Sequence, residues 1–253
     1  MKRVLCSTLP KPGRPAALSD TESHHLLKVL RLRIGDRVEA LDGRGSKVVA
    51  RLAIHSDQVS LEFESQSESP ALNEAIAPVR LEVGIIKGDA MEWVIEKAVE
   101  LGVRELVPVM TQHTVVQLKN KGPEAFQERW QKIADQALKQ CGRLERLAVA
   151  LPIELEMLLQ DGSITRLWCD EAAEGPYLLD WIGSLGSAPS ELRLLVGPEG
   201  GWSEHERALL QRSQGVVRVG LGPLVLRAET AAVFGASLLA ASFHSRQWPV
   251  INS

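Results

Sequence analysis

The sequence predicts an α/β protein in two parts, a small β-rich module at residues 1–72 followed by a larger α/β domain at residues 73–253. Three observations carry this. Between Arg37 and Phe63, apolar and polar residues alternate with the period of two that half-buried strands show. Residues 65–73 (SQSESPALN) are polar and contain Pro70, the composition of a linker. From Val79 onward, short apolar runs alternate with stretches of helical periodicity, as in a largely parallel sheet covered by helices on both faces.

Within the first part, Ser19-x-x-Glu22 has capping-box spacing and precedes Leu26, Leu27, Val29 and Leu30, so a helix is predicted from Asp20 to Leu32, stopping before Gly35. Strands are predicted at Arg37–Asp42, Lys47–Ile54 and Gln58–Phe63, separated by the turn-prone Asp42-Gly43-Arg44-Gly45 and His55-Ser56-Asp57. In the second part, Leu81–Ile86 reads as a strand. Asp89 and Glu92 read as a cap pair for a helix carrying Met91, Ile95, Ala98 and Leu101 and ended by Gly102. Glu105–Met110 is a strand, and Gly122-Pro123 opens a helix whose apolar face is Phe126, Trp130, Ile133, Ala134, Ala137 and Cys141. Further strands are predicted at Arg166–Asp170, Leu192–Val196 and Val216–Leu221.

Composition narrows the function. With 253 residues, 45% of them apolar, the chain can bury a core in one large domain or two smaller ones. The three cysteines, Cys6, Cys141 and Cys169, are odd in number and too widely spaced for a disulfide framework or a Cys-x-x-Cys metal site, so a reducing, cytoplasmic setting is expected. The six histidines show no metal-ligand spacing either, and no metal is expected. The longest apolar stretch, near Ala231–Ala241, is shorter than the roughly 18 residues of a membrane span, and no targeting segment is read. The net charge of −3 is unevenly spread. Residues 1–51 hold 11 lysines and arginines against 5 aspartates and glutamates, whereas residues 73–253 hold 18 against 23. A basic end on an acidic body is compatible with an RNA partner and equally with a solvated surface.

Two segments sit where strands end. Val196-Gly197-Pro198-Glu199-Gly200-Gly201-Trp202 follows the strand Leu192–Val196 and precedes a second capping box, Ser203-x-x-Glu206. Gly220-Leu221-Gly222-Pro223 leads into Leu224–Ala231 and a helix rich in small residues. Crevices beyond the carboxyl ends of parallel strands bind ligands, and glycines there admit close backbone approach; each segment alone reads equally well as a tight turn. Neither fits a phosphate-loop pattern. No G-x-x-x-x-G-K-[ST] occurs, and Gly220-x-Gly222-x-x-Val225 lacks the last glycine of the dinucleotide fingerprint, which argues against an NTPase or a nicotinamide enzyme.

Five ordered segments together resemble the SPOUT methyltransferases, and within them the RsmE family of 16S ribosomal RNA uridine-N3 methyltransferases. They are His24–Leu32 (HHLLKVLRL) with Gly35-Asp36, Lys87-Gly88-Asp89 with Glu96–Val103, Trp130–Arg143 (WQKIADQALKQCGR), Gly197–Trp202 (GPEGGW) and Leu226–Ala231 (LRAETA). The resemblance covers nearly the whole chain. It implies a PUA-like β-barrel at the N-terminus, a C-terminal SPOUT α/β domain with a trefoil knot, a homodimer, and transfer of a methyl group from S-adenosylmethionine to N3 of a uridine in small-subunit ribosomal RNA, free or in an assembled subunit. Carried over residue by residue, it places the cofactor on Val196, Gly197, Glu199, Gly200, Gly201, Leu221, Gly222 and Leu226.

Methylating uridine N3 requires loss of its proton and stabilisation of charge on the flanking carbonyl oxygens. Arg227, in the LRAETA segment, suits that charge, since its planar fork can face a carbonyl; the competing reading is a salt bridge at the helix entry. Glu229 is the second catalytic candidate, orienting Arg227, capping the helix or taking the proton. Arg3, Lys28, Arg31 and Arg33 are candidate RNA contacts. Where the family often has Glu-Arg-Ser, this chain reads Gln112-His113-Thr114. The homodimer is expected through the last helix and the loops before it: Ala231, Ala232, Gly235, Ala236 and Ala240 leave little bulk, so a partner helix could approach there, or the helix is buried in its own subunit. The competing functions are a SPOUT 2'-O-ribose methyltransferase, an inactive RNA-binding protein and an unrelated dimeric α/β protein.

Overall fold

The computed structural model describes residues 1–67, 76–114, 122–171 and 175–245. The linker expected at 65–73 lies largely outside them. In chain order the elements are β1 (Lys2–Leu5), β2 (Ala16–Ala17), α1 (Asp20–His24), a π-helical turn (His25–Val29), β3 (Arg37–Leu41), β4 (Lys47–His55), β5 (Gln58–Gln66), β6 (Ala77–Gly84), α2 (Gly88–Glu100), β7 (Val103–Met110) and α3 (Pro123–Cys141). They continue with β8 (Ala148–Val149), β9 (Ile153–Glu154), α4 (Leu155–Leu158), β10 (Arg166–Cys169), α5 (Leu178–Gly183), β11 (Leu192–Val196), α6 (Glu204–Arg212), β12 (Val216–Val219) and α7 (Ala228–His244). The chain divides into two compact units, Met1–Glu74 with Asp135–Arg146, and Ala75–Ala134 with Leu147–Ser253.

The first unit is a five-stranded sheet in the order β1-β3-β4-β5-β2. β1 runs parallel to β3 and the other pairings are antiparallel. Its core is formed by alternating residues of the strands, Val38, Ala40, Val48, Ala50, Leu52 and Leu61, closed by Val4, Leu18 and Leu26. The strands β1 and β2 were not anticipated, being too short for an alternation to show. The segment 135–146 completes this unit. Arg3 donates to the carbonyls of Lys139 (3.0 Å) and Gln140 (2.8 Å), Lys139 pairs with Glu22 (2.7 Å), and the Arg146 amide donates to the Gly43 carbonyl (3.0 Å).

The helix expected over residues 20–32 is shorter and irregular. Ser19 caps α1 through the Glu22 amide (3.2 Å), but after His24 the chain widens into the π-turn. The Leu30 amide then reaches the His25 carbonyl and Leu32 reaches Leu26, leaving Arg31 in a left-handed conformation (φ 56) where glycine is the usual residue.

The second unit is a seven-stranded parallel sheet in the order β12-β10-β11-β6-β7-β8, with β9 also on β7. From β6 the chain builds outward through β7, β8 and β9, then crosses to lay down β10, and only afterwards inserts β11 between β10 and β6. A crevice opens at the carboxyl ends where the winding direction reverses. Fully buried Arg166 on β10 donates to Glu82 on β6 (2.5 and 3.2 Å) and to the Leu158 carbonyl (3.1 Å), tying the strands on either side of β11. Burial outweighs the arginine's charge and holds the Glu82 carboxyl above the usual range. Helix α7 packs on β6, β11 and α2. Ala232 and Ala236 are fully buried there, and a Cβ on Gly235 would stand 2.8 Å from Leu194. The small residues therefore seat α7 on its own sheet rather than offering a face to a partner helix.

Candidate active site

A cavity of about 690 Å3 lies at the carboxyl ends of β10, β11 and β12. It is lined by Cys169 at the end of β10 with Asp170 and Glu171 after it, by Val196 at the end of β11 with Gly197, Pro198, Glu199, Gly201 and Trp202 after it, and by the segment from Gly220 to Glu229 with Ala231, which leads from β12 into α7. Of the residues that the sequence assigned to the cofactor, Val196, Gly197, Glu199, Gly201, Leu221, Gly222 and Leu226 line the cavity, and so do Arg227 and Glu229. Gly200 does not; it turns toward His113.

The β11 loop is held by close packing. A Cβ on Gly84, the last residue of β6, would sit 2.5 Å from the Pro198 nitrogen, so only glycine lets β6 run against the loop. Gly197 packs on the Trp202 indole in the same way (3.0 Å), while the indole donates to the Cys169 carbonyl (3.4 Å). Pro198 to Gly201 form a turn closed by the Gly201 amide on the Pro198 carbonyl (2.9 Å), with Gly201 at φ 66. Ser203 and Glu206 form both reciprocal bonds of the capping box that starts α6. Helix α2, by contrast, is not capped by Asp89. Its N-cap is Lys87, whose amide donates to the Glu199 carboxylate (2.9 Å). The Asp89-Glu92 spacing matched a cap pair, but Asp89 lies inside the first turn.

Charge on the β10 side is organised around Asp170, whose side chain is buried and pairs with Arg207 and with Arg218 (2.6 Å). Arg207 also donates to Glu171 (3.0 Å), and Arg218 lies over the Trp168 ring, 5.4 Å from its centroid. Cys169 is held as a neutral thiol, its pKa pushed up to about 12 by burial first and by the Asp170 charge second. These three wall residues were missed in the sequence. Their signal was available: Cys169-Asp170-Glu171 directly follows a short apolar strand, as the glycine loops do.

Arg227 is the N-cap residue of α7, exposed, with extended backbone (ψ 152). Glu229 is half-buried in the first turn. The four candidate RNA contacts all lie in the first unit. Lys28, Arg31 and Arg33 are exposed around the π-turn and form no ion pair among the described residues. Arg3 is different, since Glu39 (3.1 Å) and two carbonyls already occupy its guanidinium.

The cavity suits an amphipathic cofactor such as S-adenosylmethionine. Leu221, Leu226 and Val196 offer apolar walls, a Cβ position on Gly222 is open for 4 Å around, and Glu171 and Glu229 supply negative charge for a cationic group.

Comparison with known proteins is consistent along the chain. Residues 73–240 match the RNA methyltransferase domain family, and residues 18–64 match the PUA domain of RNA methyltransferases. The ribosomal RNA small subunit methyltransferase E of Bacillus subtilis is 32% identical over 232 residues, 88% of each chain. That of Synechocystis is 32% identical over 85% of this chain and 69% of its own. Among solved structures, a methyltransferase from Legionella pneumophila with bound S-adenosylmethionine superposes with a TM-score of 0.83 at 28% identity, covering 95% of this chain and 97% of its own. The ribosomal RNA small subunit methyltransferase E of Neisseria gonorrhoeae, also bound to S-adenosylmethionine, gives 0.83 at 28% identity, covering 94% and 96%.

Proposed function

Since the chain belongs to the ribosomal RNA small subunit methyltransferase E family, an RNA methyltransferase of the SPOUT class using S-adenosylmethionine, we propose that it methylates N3 of a uridine in 16S ribosomal RNA. The observation that carries this reading is the convergence of the GPEGGW and LRAETA segments on one cavity at the switch point of a parallel sheet. When bound, the cofactor supplies an electrophilic methyl group on a sulfonium. Arg227, at the cavity rim and at the positive end of α7, faces the charge that develops on the uracil carbonyls as N3 loses its proton. Glu229, in the first turn of α7, adds a negative charge to the same cavity. Leu221 and Leu226 would hold the cofactor against apolar walls that exclude water, and Cys169, held as a thiol, is a poor nucleophile in that cavity. Most of the acceleration then comes from holding donor and acceptor in line.

Lys28, Arg31 and Arg33 form the phosphate contacts of this reading. No described helix is long and apolar enough to cross a membrane; a cytoplasmic site of action follows from the proposed substrate, the ribosomal subunit. A homodimer belongs to the same proposal, on a different surface from the stripe of small residues. Leu224 and Val225 are each 77% exposed and Tyr177 is 48% exposed, all on the cavity rim, where a second copy would cover them and complete the site. Light scattering on Leu224→Asp should show monomers where the native protein shows dimers. The trefoil knot belongs to the same proposal, and the strand order, with β11 between β6 and β10, is compatible with it.

The deciding measurement is mass mapping of small-subunit RNA from cells lacking the protein, followed by treatment with purified protein and cofactor. One uridine should lack a base methyl group and regain it. Recovery of the methyl on a ribose would move the chain to the 2'-O class, and an RNA with nothing missing would remove the enzymatic reading.

A further inference from the structure

The turn after β7 is locked to the cofactor loop by a side chain that the proposed chemistry does not use. The His113 imidazole places Nδ1 2.9 Å from the Gly200 carbonyl oxygen and 3.1 Å from that of Gly201. Both partners only accept, so Nδ1 carries the proton and donates to the pair. One residue earlier, the Gln112 amide donates to Glu206 (2.8 Å), the same carboxylate that closes the α6 capping box. Thr114 closes the turn through the Thr111 amide (2.9 Å). Two adjacent residues of one turn thus hold both ends of the segment 200–206. The fit is tight, since a Cβ on Gly200 would come within 2.8 Å of the His113 Cβ.

We infer that His113 is a positioning residue for cofactor binding: its Nδ1–H orients the Gly200 and Gly201 carbonyls, and so sets the face that the loop turns to the cavity. Gly201 lines the cavity while its carbonyl, like that of Gly200, faces His113, so the bond fixes the backbone of a lining residue from the side away from the cavity. Without the imidazole, the two carbonyls lose their shared donor and the glycines, free in φ and ψ, sample other orientations. The effect falls on affinity for the cofactor, not on the transferring step.

This inference rests on the proposed use of S-adenosylmethionine, and the test separates the two. Calorimetry would measure cofactor affinity for the native protein and for His113→Ala and His113→Asn, beside turnover at saturating cofactor and thermal melts. An asparagine amide nitrogen stands near where Nδ1 does and can donate to the same oxygens. His113→Ala should weaken binding about tenfold, the loss of one or two hydrogen bonds, while saturated turnover changes less than about twofold; His113→Asn should recover most of the affinity. Unchanged affinity in His113→Ala overturns the inference. So does a loss of turnover at unchanged affinity, which would place His113 with the RNA or the chemistry, and so does a loss of affinity that tracks a lowered melting temperature in both variants. A native protein that fails to bind S-adenosylmethionine defeats the functional reading instead.

Discussion

The Glu199 carboxylate accepts the Lys87 backbone amide at 2.9 Å, so a residue of the loop after β11 caps helix α2 across 112 positions of sequence. Cap and loop are thereby one device. Replacing a side-chain cap by alanine destabilises a helix by about 1 kcal/mol, so Glu199→Ala should lower the melting temperature by roughly 2–4 °C and weaken cofactor binding together. Glu199→Gln retains an acceptor oxygen and should lie between. A melt and a titration that both match the native protein would show that the contact holds nothing.

Arg227→Ala separates chemistry from architecture. An interaction made mainly in the transition state affects rate more than ground-state binding, so single-turnover methylation should slow by about 100-fold to 1000-fold with cofactor affinity nearly intact. Arg227→Lys should restore only part, because a point charge cannot reproduce the planar pair of donors. A stable Arg227→Ala protein with undiminished rate excludes the residue from the reaction.

Arg31 occupies a left-handed conformation at the end of the π-turn, exposed and without an ion pair among the described residues. Arg31→Gly should therefore move two measurements in opposite directions. Stability should rise by about 0.5–1 kcal/mol, since glycine adopts φ 56 without strain, while affinity for the RNA should fall. Denaturant melts and filter binding test this, and RNA affinity unchanged by Arg31→Gly removes Arg31 from the contact surface.

Alkaline stability follows from two buried thiols. Burial, with Asp42 and Glu22 nearby, pushes Cys6 up to about 12, and burial with Asp170 does the same for Cys169, from an ordinary value of 9.0. A raised folded-state value means that the folded protein keeps a proton which the unfolded chain releases. The contribution is complete below pH 9 and is lost as the pH rises toward 12. Denaturant midpoints should fall across that window, and Cys169→Ala should flatten part of the fall. A midpoint independent of pH between 9 and 11 would count against the buried thiols.

Long periodic segments were legible in the chain. The alternation of Val48, Ala50, Leu52 and Ile54 placed β4, the helical spacing of Phe126, Trp130 and Ala137 placed α3, and Ser203-x-x-Glu206 placed the start of α6. Two-residue strands such as β2, β8 and β9 carry no period to read. The segment Arg37–Gln66 and the α/β alternation beyond Val79 determine the two-part fold because burial on one face writes itself into the spacing of apolar residues.

Which segments meet across the fold was decided only in three dimensions. GPEGGW and LRAETA were readable as two strand-end loops, but Cys169, Asp170 and Glu171 became cavity walls only when β11 was inserted between β6 and β10. The π-turn under Arg31, the capping of α2 by Glu199 instead of Asp89, and the burial of Ala232 and Ala236 against their own sheet belong to the same class. Periodicity records that a face is covered and is silent on what covers it. A hydrogen bond or a close approach between residues a hundred positions apart leaves no spacing in the chain, since its partner is chosen by the packing of the whole sheet.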